Sequence, residues 1–157
     1  MLRLRFQPAR QLGFLLLISM GAVLVHGYHP AVEDAEIYVP GIKRALNPGL
    51  YPYNDAFFAS HASRTLFPKL IAASVRVTHL PLDFALLIWH VLSIFLLLLA
   101  CWKISRICFH NIRAQLGSVV LVASLLTLPV AGTALDLVDQ YLNTRSLSTP
   151  AVMFAVG

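Results

Sequence analysis

The stretch "LDFALLIWHVLSIFLLLLACW", residues 82–102, decides the fold class of this chain. From Phe84 to Trp102 it contains no Asp, Glu, Lys or Arg, and about 20 predominantly apolar helical residues are enough to cross a bilayer. The whole chain has the same character, because 58% of its 157 residues are hydrophobic and only 12% are charged. Soluble domains carry about 25% charged residues. The composition therefore predicts an integral membrane protein.

Hydropathy predicts several spans in one domain. The predicted spans are 12–28, 82–102, 116–135 and a fourth that begins at Pro150. The apolar segment 65–79 is shorter and carries Lys69 and Arg76, so we expect an interfacial or re-entrant helix there. These features predict an all-α fold, a polytopic transmembrane helical bundle with a large first outer loop that contains interfacial helices. Because only eight residues follow Thr149, we expect a truncated sequence, the N-terminal part of a longer protein.

Charge predicts how the chain is threaded. Arg3, Arg5 and Arg10 precede the first span, and basic residues in short loops favour the cytoplasmic side. The loop 104–115 lies on the same side and adds basic residues but no acid, which supports a cytoplasmic N-terminus. A competing interpretation is a cleaved signal peptide, because a basic start and an apolar core precede "VHG", residues 25–27.

The first outer loop begins with three carboxylates, Glu33, Asp34 and Glu36. Like charges this close repel, so one carboxyl should hold its proton more tightly, as suits a general base, unless a cation neutralises the cluster. A neutralised cluster would instead be a site for Mg²⁺ or Mn²⁺, which prefer oxygen ligands. A structural interpretation stays open, because acids at a helix N-terminus favour the helix dipole and form a solvated face.

Histidines occur both inside and beside the predicted spans. His90 lies within the uncharged stretch, where a polar group needs a partner. That partner is either an interhelical hydrogen bond or part of a functional site. His26 and His29 lie at the end of the first span, and we expect them to stay at the membrane interface.

Two short motifs resemble those of a known class of membrane enzyme. "DAEIY", Asp34 to Tyr38, is similar to the "DEARY"-type start of the first outer loop in aminoarabinose and protein-mannosyl transferases. "SRTLFPKLIAASVRVTHLP", residues 63–81, is similar to the segment that leads into their second span. Over residues 10–104 the chain thus resembles the GT-C superfamily of membrane glycosyltransferases. The resemblance implies sugar transfer from a polyprenyl-phosphate donor to an acceptor hydroxyl, on the outer face of the bacterial inner membrane.

The resemblance also implies catalytic roles. Asp34 takes the place of the family's catalytic aspartate, the general base that acts on the acceptor hydroxyl. The second carboxylate of the pair would be Glu36 or Glu33. We expect the full-length protein to be an enzyme and this 157-residue piece to be inactive alone, because later helices would hold the lipid donor.

A leaving prenyl phosphate needs a cationic partner. Arg145 is the first candidate, because a guanidinium fork matches phosphate oxygens. Lys43 and Arg44 are alternatives, since they follow the acidic cluster by two to three helical turns. Tyr38, the aromatic residue of the motif, completes the predicted substrate-binding set. The alternative is that Arg145 only extends its charged group to the membrane interface from a position near a helix end.

Other functional classes differ in what they require of the sequence. A non-catalytic scaffold or assembly protein needs only helix packing, and part of a transporter would show Gly- or Pro-broken spans. The third predicted span has one such break, Pro129 with Gly132. No nucleic-acid partner is expected, because the basic residues are spread over both predicted faces. The expected partners are the lipid bilayer and a polyprenyl-phosphate-linked sugar.

Overall fold

The protein is described here by a computed structural model that covers residues 8–30, 32, 34–53, 64–129 and 136–156. Within these ranges the helices are α1 Pro8–His26, α2 Ala35–Leu46, α3 Phe67–Thr78, α4 Leu82–Cys108, α5 Ile112–Ser124 and α6 Thr144–Val156. This described part of the chain contains helices and one isolated bridge, but no strand. The predicted all-α class is confirmed.

Two helices, α1 and α4, are long and apolar enough to cross a membrane. α4 is the central helix, because α1, α5 and α6 all pack against it. α1 lies at the side of the bundle and leaves Leu17, Leu24 and Val25 at least 70% exposed. α1 also lies near the N-terminus. A signal sequence lies there too and has the same apolar composition and a similar length. The polytopic arrangement therefore stays a prediction.

The main core fills the space between α1, α4 and α5. Its most buried side chains are Leu15, Ile94, Leu97, Leu98 and Val119. The α4 members recur three to four residues apart, which puts them on neighbouring turns of one helix face. α4 is apolar all round, so packing rather than sequence periodicity decides which face is buried.

The predicted third span, 116–135, does not form one continuous helix. α5 has 13 residues and ends at Ser124, which is shorter than the length needed to cross a bilayer. Turns follow, and the backbone N–H of Val138 donates to the carbonyl of Leu126 at 2.9 Å. Pro129 also disfavours helical geometry in the residue before it. The chain therefore folds back across the end of α5.

The predicted start of the last helix at Pro150 is wrong. α6 begins at Thr144, and Pro150 lies inside it. The side chain of Asn143 accepts a hydrogen bond from the Ser146 backbone N–H at 2.9 Å, which satisfies one of the free donors at the helix start. This cap sets the start of α6 two turns earlier than the apolar run suggests.

A second core cluster fastens α2 and α3 to the bundle. It contains Ile42 of α2, Ile71 and Ala72 of α3, Leu86 of α4 and Leu142, all at most 4% exposed. α3 lies within the predicted segment 65–79. This cluster holds the first outer loop beside the segment that precedes α6.

Candidate functional site

The first outer loop and the start of α6 meet at one end of the bundle. Asp34 is the residue at which α2 begins, and Arg145 lies in the first turn of α6. The carboxylate of Asp34 acts electrostatically on the guanidinium of Arg145, although the two residues are 111 positions apart. The predicted base therefore lies within electrostatic range of the predicted phosphate-binding residue.

The side chain of Asp34 is exposed and forms no capping hydrogen bond with α2. Its side chain therefore does not cap α2, whereas its exposed position at the helix start fits the solvated face that the structural interpretation expects. Glu36 is exposed in the first turn of α2, where its charge favours the helix dipole. Glu33 lies outside the described residues.

Arg145 is held by a carboxylate that the sequence did not single out. Its Nη2 donates to both oxygens of Asp139 at 2.5 Å, and Asn143 donates to Asp139 from the other side at 2.5 Å. The side chain of Asp139 is 11% exposed and that of Arg145 is 37% exposed. The hydrogen bond that Arg145 donates to Asp139 raises the pKa of Arg145 above its ordinary value, and the charge of Asp34 acts in the same direction. Arg145 is thus fixed in position while part of its guanidinium stays accessible.

A cavity of about 60 Å³ lies beside the ion pair. It is lined by Val32, Asp136, Asp139, Gln140 and Tyr141. Carboxylates accept hydrogen bonds, an amide both accepts and donates, and a phenol does both as well. This polar lining suits a ligand that carries hydroxyl groups. The one signal that could have found it is a pair of acids, Asp136 and Asp139, three residues apart after a long apolar stretch.

The remaining predicted substrate residues lie away from this cavity. Lys43 and Arg44 are in the last turn of α2, nine or ten residues after Asp34, or about 14 Å along the helix at about 1.5 Å per residue. Tyr38 is half-buried, and its ring packs edge-on against that of Phe67, with the centroids 5.7 Å apart. Tyr38 therefore contributes to packing between α2 and α3.

Within the described ranges, no group of three or more His, Cys, Asp or Glu side chains is arranged to hold a metal ion. Asp34 and Glu36 are the two described members of the acidic cluster. The predicted Mg²⁺ or Mn²⁺ site depends on Glu33, outside those ranges, and stays a hypothesis.

The end of α1 is tied to the same region by hydrogen bonds. The His26 ring contacts Thr127 Oγ1 and the Ala123 carbonyl, each at 2.8 Å. Gln140 Nε2 donates to the His26 carbonyl, and the His29 backbone N–H donates to the Gln140 carbonyl, both at 2.7 Å. His26 therefore joins α1 to α5, a role that its position at the end of a span did not predict.

Beneath this layer lies His90, which is 1% exposed. Its Nδ1 atom has no hydrogen-bond partner among the described residues, so within them the interhelical bond expected for a buried histidine is not made by this atom. The Tyr28 ring stacks on the His90 ring at a centroid distance of 4.9 Å. Burial, with a smaller effect from the Asp83 charge, raises the pKa of Tyr28 to about 12. Tyr28 therefore stays neutral at physiological pH.

No family model matches this sequence, and comparisons with curated proteins and with solved structures give no match. The resemblance to the GT-C superfamily rests on the short motifs of the first outer loop.

Proposed function

We propose that this chain belongs to a membrane glycosyltransferase that moves a sugar from a polyprenyl-phosphate donor to an acceptor hydroxyl. The observation that carries the proposal is the place of Asp34, at the start of α2, within electrostatic range of the guanidinium that Asp139 holds. Asp34 is exposed and has no capping hydrogen bond, so it is available to accept a proton. Arg145 is a fixed, partly accessible cation.

In the proposed reaction, Asp34 accepts the proton of the acceptor hydroxyl while that oxygen attacks the anomeric carbon. The bond between the anomeric carbon and the phosphate oxygen breaks, and its electron pair leaves with the prenyl phosphate. The configuration of the sugar inverts. A positioned general base supplies about 10²- to 10⁴-fold in rate.

The leaving phosphate gains negative charge and needs a fixed cation. Only Nη2 of Arg145 takes part in the described bonds to Asp139, and a guanidinium carries five N–H donors in all. The other N–H groups can therefore bind phosphate oxygens. A cation already held in place stabilises the developing charge without having to reorganise during the reaction.

The polar cavity supports a subsite for a hydroxylated group. Asp136, Gln140 and Tyr141 supply acceptors and donors around about 60 Å³. Asp139 lines this cavity and also binds Arg145, so a hydroxylated group in the cavity would lie beside the phosphate.

The membrane arrangement is part of the same proposal. With α1 and α4 as spans, the N-terminus in the cytoplasm, and α5 with the turns after it returning the chain across the membrane, Asp34 and the start of α6 lie at the outer face of a bacterial inner membrane. α2 and α3 would lie along the interface, where a lipid-borne phosphate is within reach. The lipid bilayer and the prenyl-linked sugar are then the partners.

The test uses membranes that contain the full-length protein, either wild type or with Asp34→Asn, at matched abundance. Polyprenyl-phosphate sugars are supplied, and the rate of sugar transfer is measured. We expect the variant to lose about 10²- to 10⁴-fold in rate. Absence of transfer by folded wild-type protein would instead favour the scaffold or transporter interpretation.

A further inference from the structure

Below the Asp139–Arg145 ion pair lies a small cavity where four segments meet. Its volume is about 10 Å³, and its wall combines the end of α1, the middle of α4, the turn after α5 and residues 138–140. A cavity needs about 10–15 Å³ and several polar neighbours to hold one water molecule. The size and the lining therefore fit one water molecule and nothing larger.

Most polar groups around the cavity already have partners. The His26 ring contacts Thr127 and the Ala123 carbonyl, and the Gln140 amide donates to the backbone. His90 also lines the cavity, and its Nδ1 has no protein partner although the residue is 99% buried. A buried polar atom without a partner is destabilising, so a partner is expected there.

Asp139 lies on the other side of the cavity and retains capacity to accept. A carboxylate offers about four acceptor positions, and the described bonds from Asn143 and Arg145 number three. The negative charge of Asp139 also acts on the His90 ring. A water molecule between the two side chains could accept from His90 and donate to Asp139.

We propose that this cavity binds one ordered water molecule, which accepts a hydrogen bond from His90 Nδ1–H and donates one to the Asp139 carboxylate. His90 is then a positioning residue: it holds Asp139, and Asp139 holds Arg145. The water site does not depend on the proposed transfer reaction and stands if that reaction is not found.

The proposal fixes the tautomer of His90. In the proposed arrangement the water accepts from His90, so the neutral ring carries its proton on Nδ1. His26 must have the opposite tautomer, because its Nε2 faces the Ala123 carbonyl, which can only accept. Its Nδ1 then accepts from the Thr127 hydroxyl. The protonated ring nitrogens of the two histidines should therefore differ, and each histidine serves as a reference for the other in the same sample.

Solid-state NMR of the full chain, with ¹⁵N-labelled histidine in phospholipid bilayers, tests this at about pH 8, where an ordinary histidine is neutral. The signals are assigned by their loss in His90→Gln and His26→Gln. We expect a proton on Nδ1 of His90, correlated with a bound water, and a proton on Nε2 of His26. A His90 ring protonated on Nε2 alone, or one without a water correlation, would overturn the proposal. This result comes from wild-type protein and does not depend on how the variants fold.

A second experiment uses a substitution that fills the cavity. Ala22 lines it and is 5% exposed, so Ala22→Val should displace the water and remove its correlation with His90. Ala114→Val makes the same substitution on an exposed face of α5 and should leave the correlation intact. A correlation that persists in a folded Ala22→Val protein would contradict the site.

Discussion

Two carboxylates at one end of this bundle lie in contrasting environments. Asp34 is exposed at the start of α2, and its side chain makes no capping bond. Asp139 is 11% exposed and accepts hydrogen bonds from Asn143 and Arg145. A carboxylate that already accepts from two neighbouring side chains is suited to holding another group in place. A carboxylate without such partners is suited to accepting a proton.

This difference gives the two carboxylates separate tasks. Asp34 would act on the substrate, whereas Asp139 would act on Arg145 and through it on the phosphate. Their removal should therefore change different measured quantities. Variants at Asp34 should alter transfer alone, and variants at Asp139 should alter the free energy of unfolding as well.

After Asp34→Asn, which removes the base, the largest decrease in transfer rate is expected for substitutions of Arg145. Arg145→Met removes the cation that faces the leaving phosphate, and we expect a loss of about 10²- to 10³-fold in transfer rate. Arg145→Lys should restore part of the rate, because it keeps the charge but not the guanidinium fork. Steady-state transfer assays at matched abundance measure both variants.

Lys43→Met is the matched control for the loss of a cation. Lys43 is exposed at the far end of α2, so its removal should leave the transfer rate unchanged. If Lys43→Met and Arg145→Met lowered the rate equally, the assignment of the phosphate to Arg145 would be wrong.

A smaller effect, on stability, is expected for Asp139→Asn. The change leaves Arg145 without its charged partner, but the Arg145 side chain is 37% exposed, so water screens much of the loss. We expect a decrease of about 1–2 kcal/mol in the free energy of unfolding. Denaturant titration in detergent measures it, with Asp136→Asn, a neighbouring carboxylate on the same cavity, as the comparison. An unchanged midpoint would show that the ion pair does not stabilise the fold.

The smallest effect is expected for Glu36→Gln. Glu36 is exposed in the first turn of α2 and contributes mainly to the helix dipole there, which is typically a matter of 0.3–1 kcal/mol. We expect transfer within about twofold of wild type, since that dipole term does not act on the reacting atoms. A loss of transfer rate as large as that of Asp34→Asn would make Glu36 the second member of a catalytic pair. Asp34 would then not be the single reacting carboxylate that is compared with Asp139.

Parts of this fold could be predicted from the sequence because one local property decided them. The uncharged run from Phe84 to Trp102 falls within the long helix α4. A second example is α3. Its start is marked by Pro68, and its short apolar segment is marked by the cations Lys69 and Arg76. Hydropathy and helix-start residues were sufficient in both cases.

The end of α5 and the contacts of Arg145 depend on tertiary structure instead. The apolar residues continue past Ser124, and the helix ends where the chain turns back to pair Leu126 with Val138. Asp139 and Arg145 are six residues apart around a helix start, a spacing that the i,i+3 and i,i+4 rules for helical pairs do not cover. The electrostatic effect of Asp34 on Arg145 also depends on tertiary structure, because the two residues are 111 positions apart in the sequence.

The central claim is that Asp34 takes part in the reaction, whereas Asp139 holds Arg145 in position. The most direct test measures the transfer rate and the thermal midpoint of unfolding, Tm, on the same preparations of wild type and Asp34→Asn. The account predicts a loss of about 10²- to 10⁴-fold in transfer with a Tm within error of wild type. A lowered Tm with proportionate loss of transfer would contradict it and would make Asp34 a structural residue of the first outer loop.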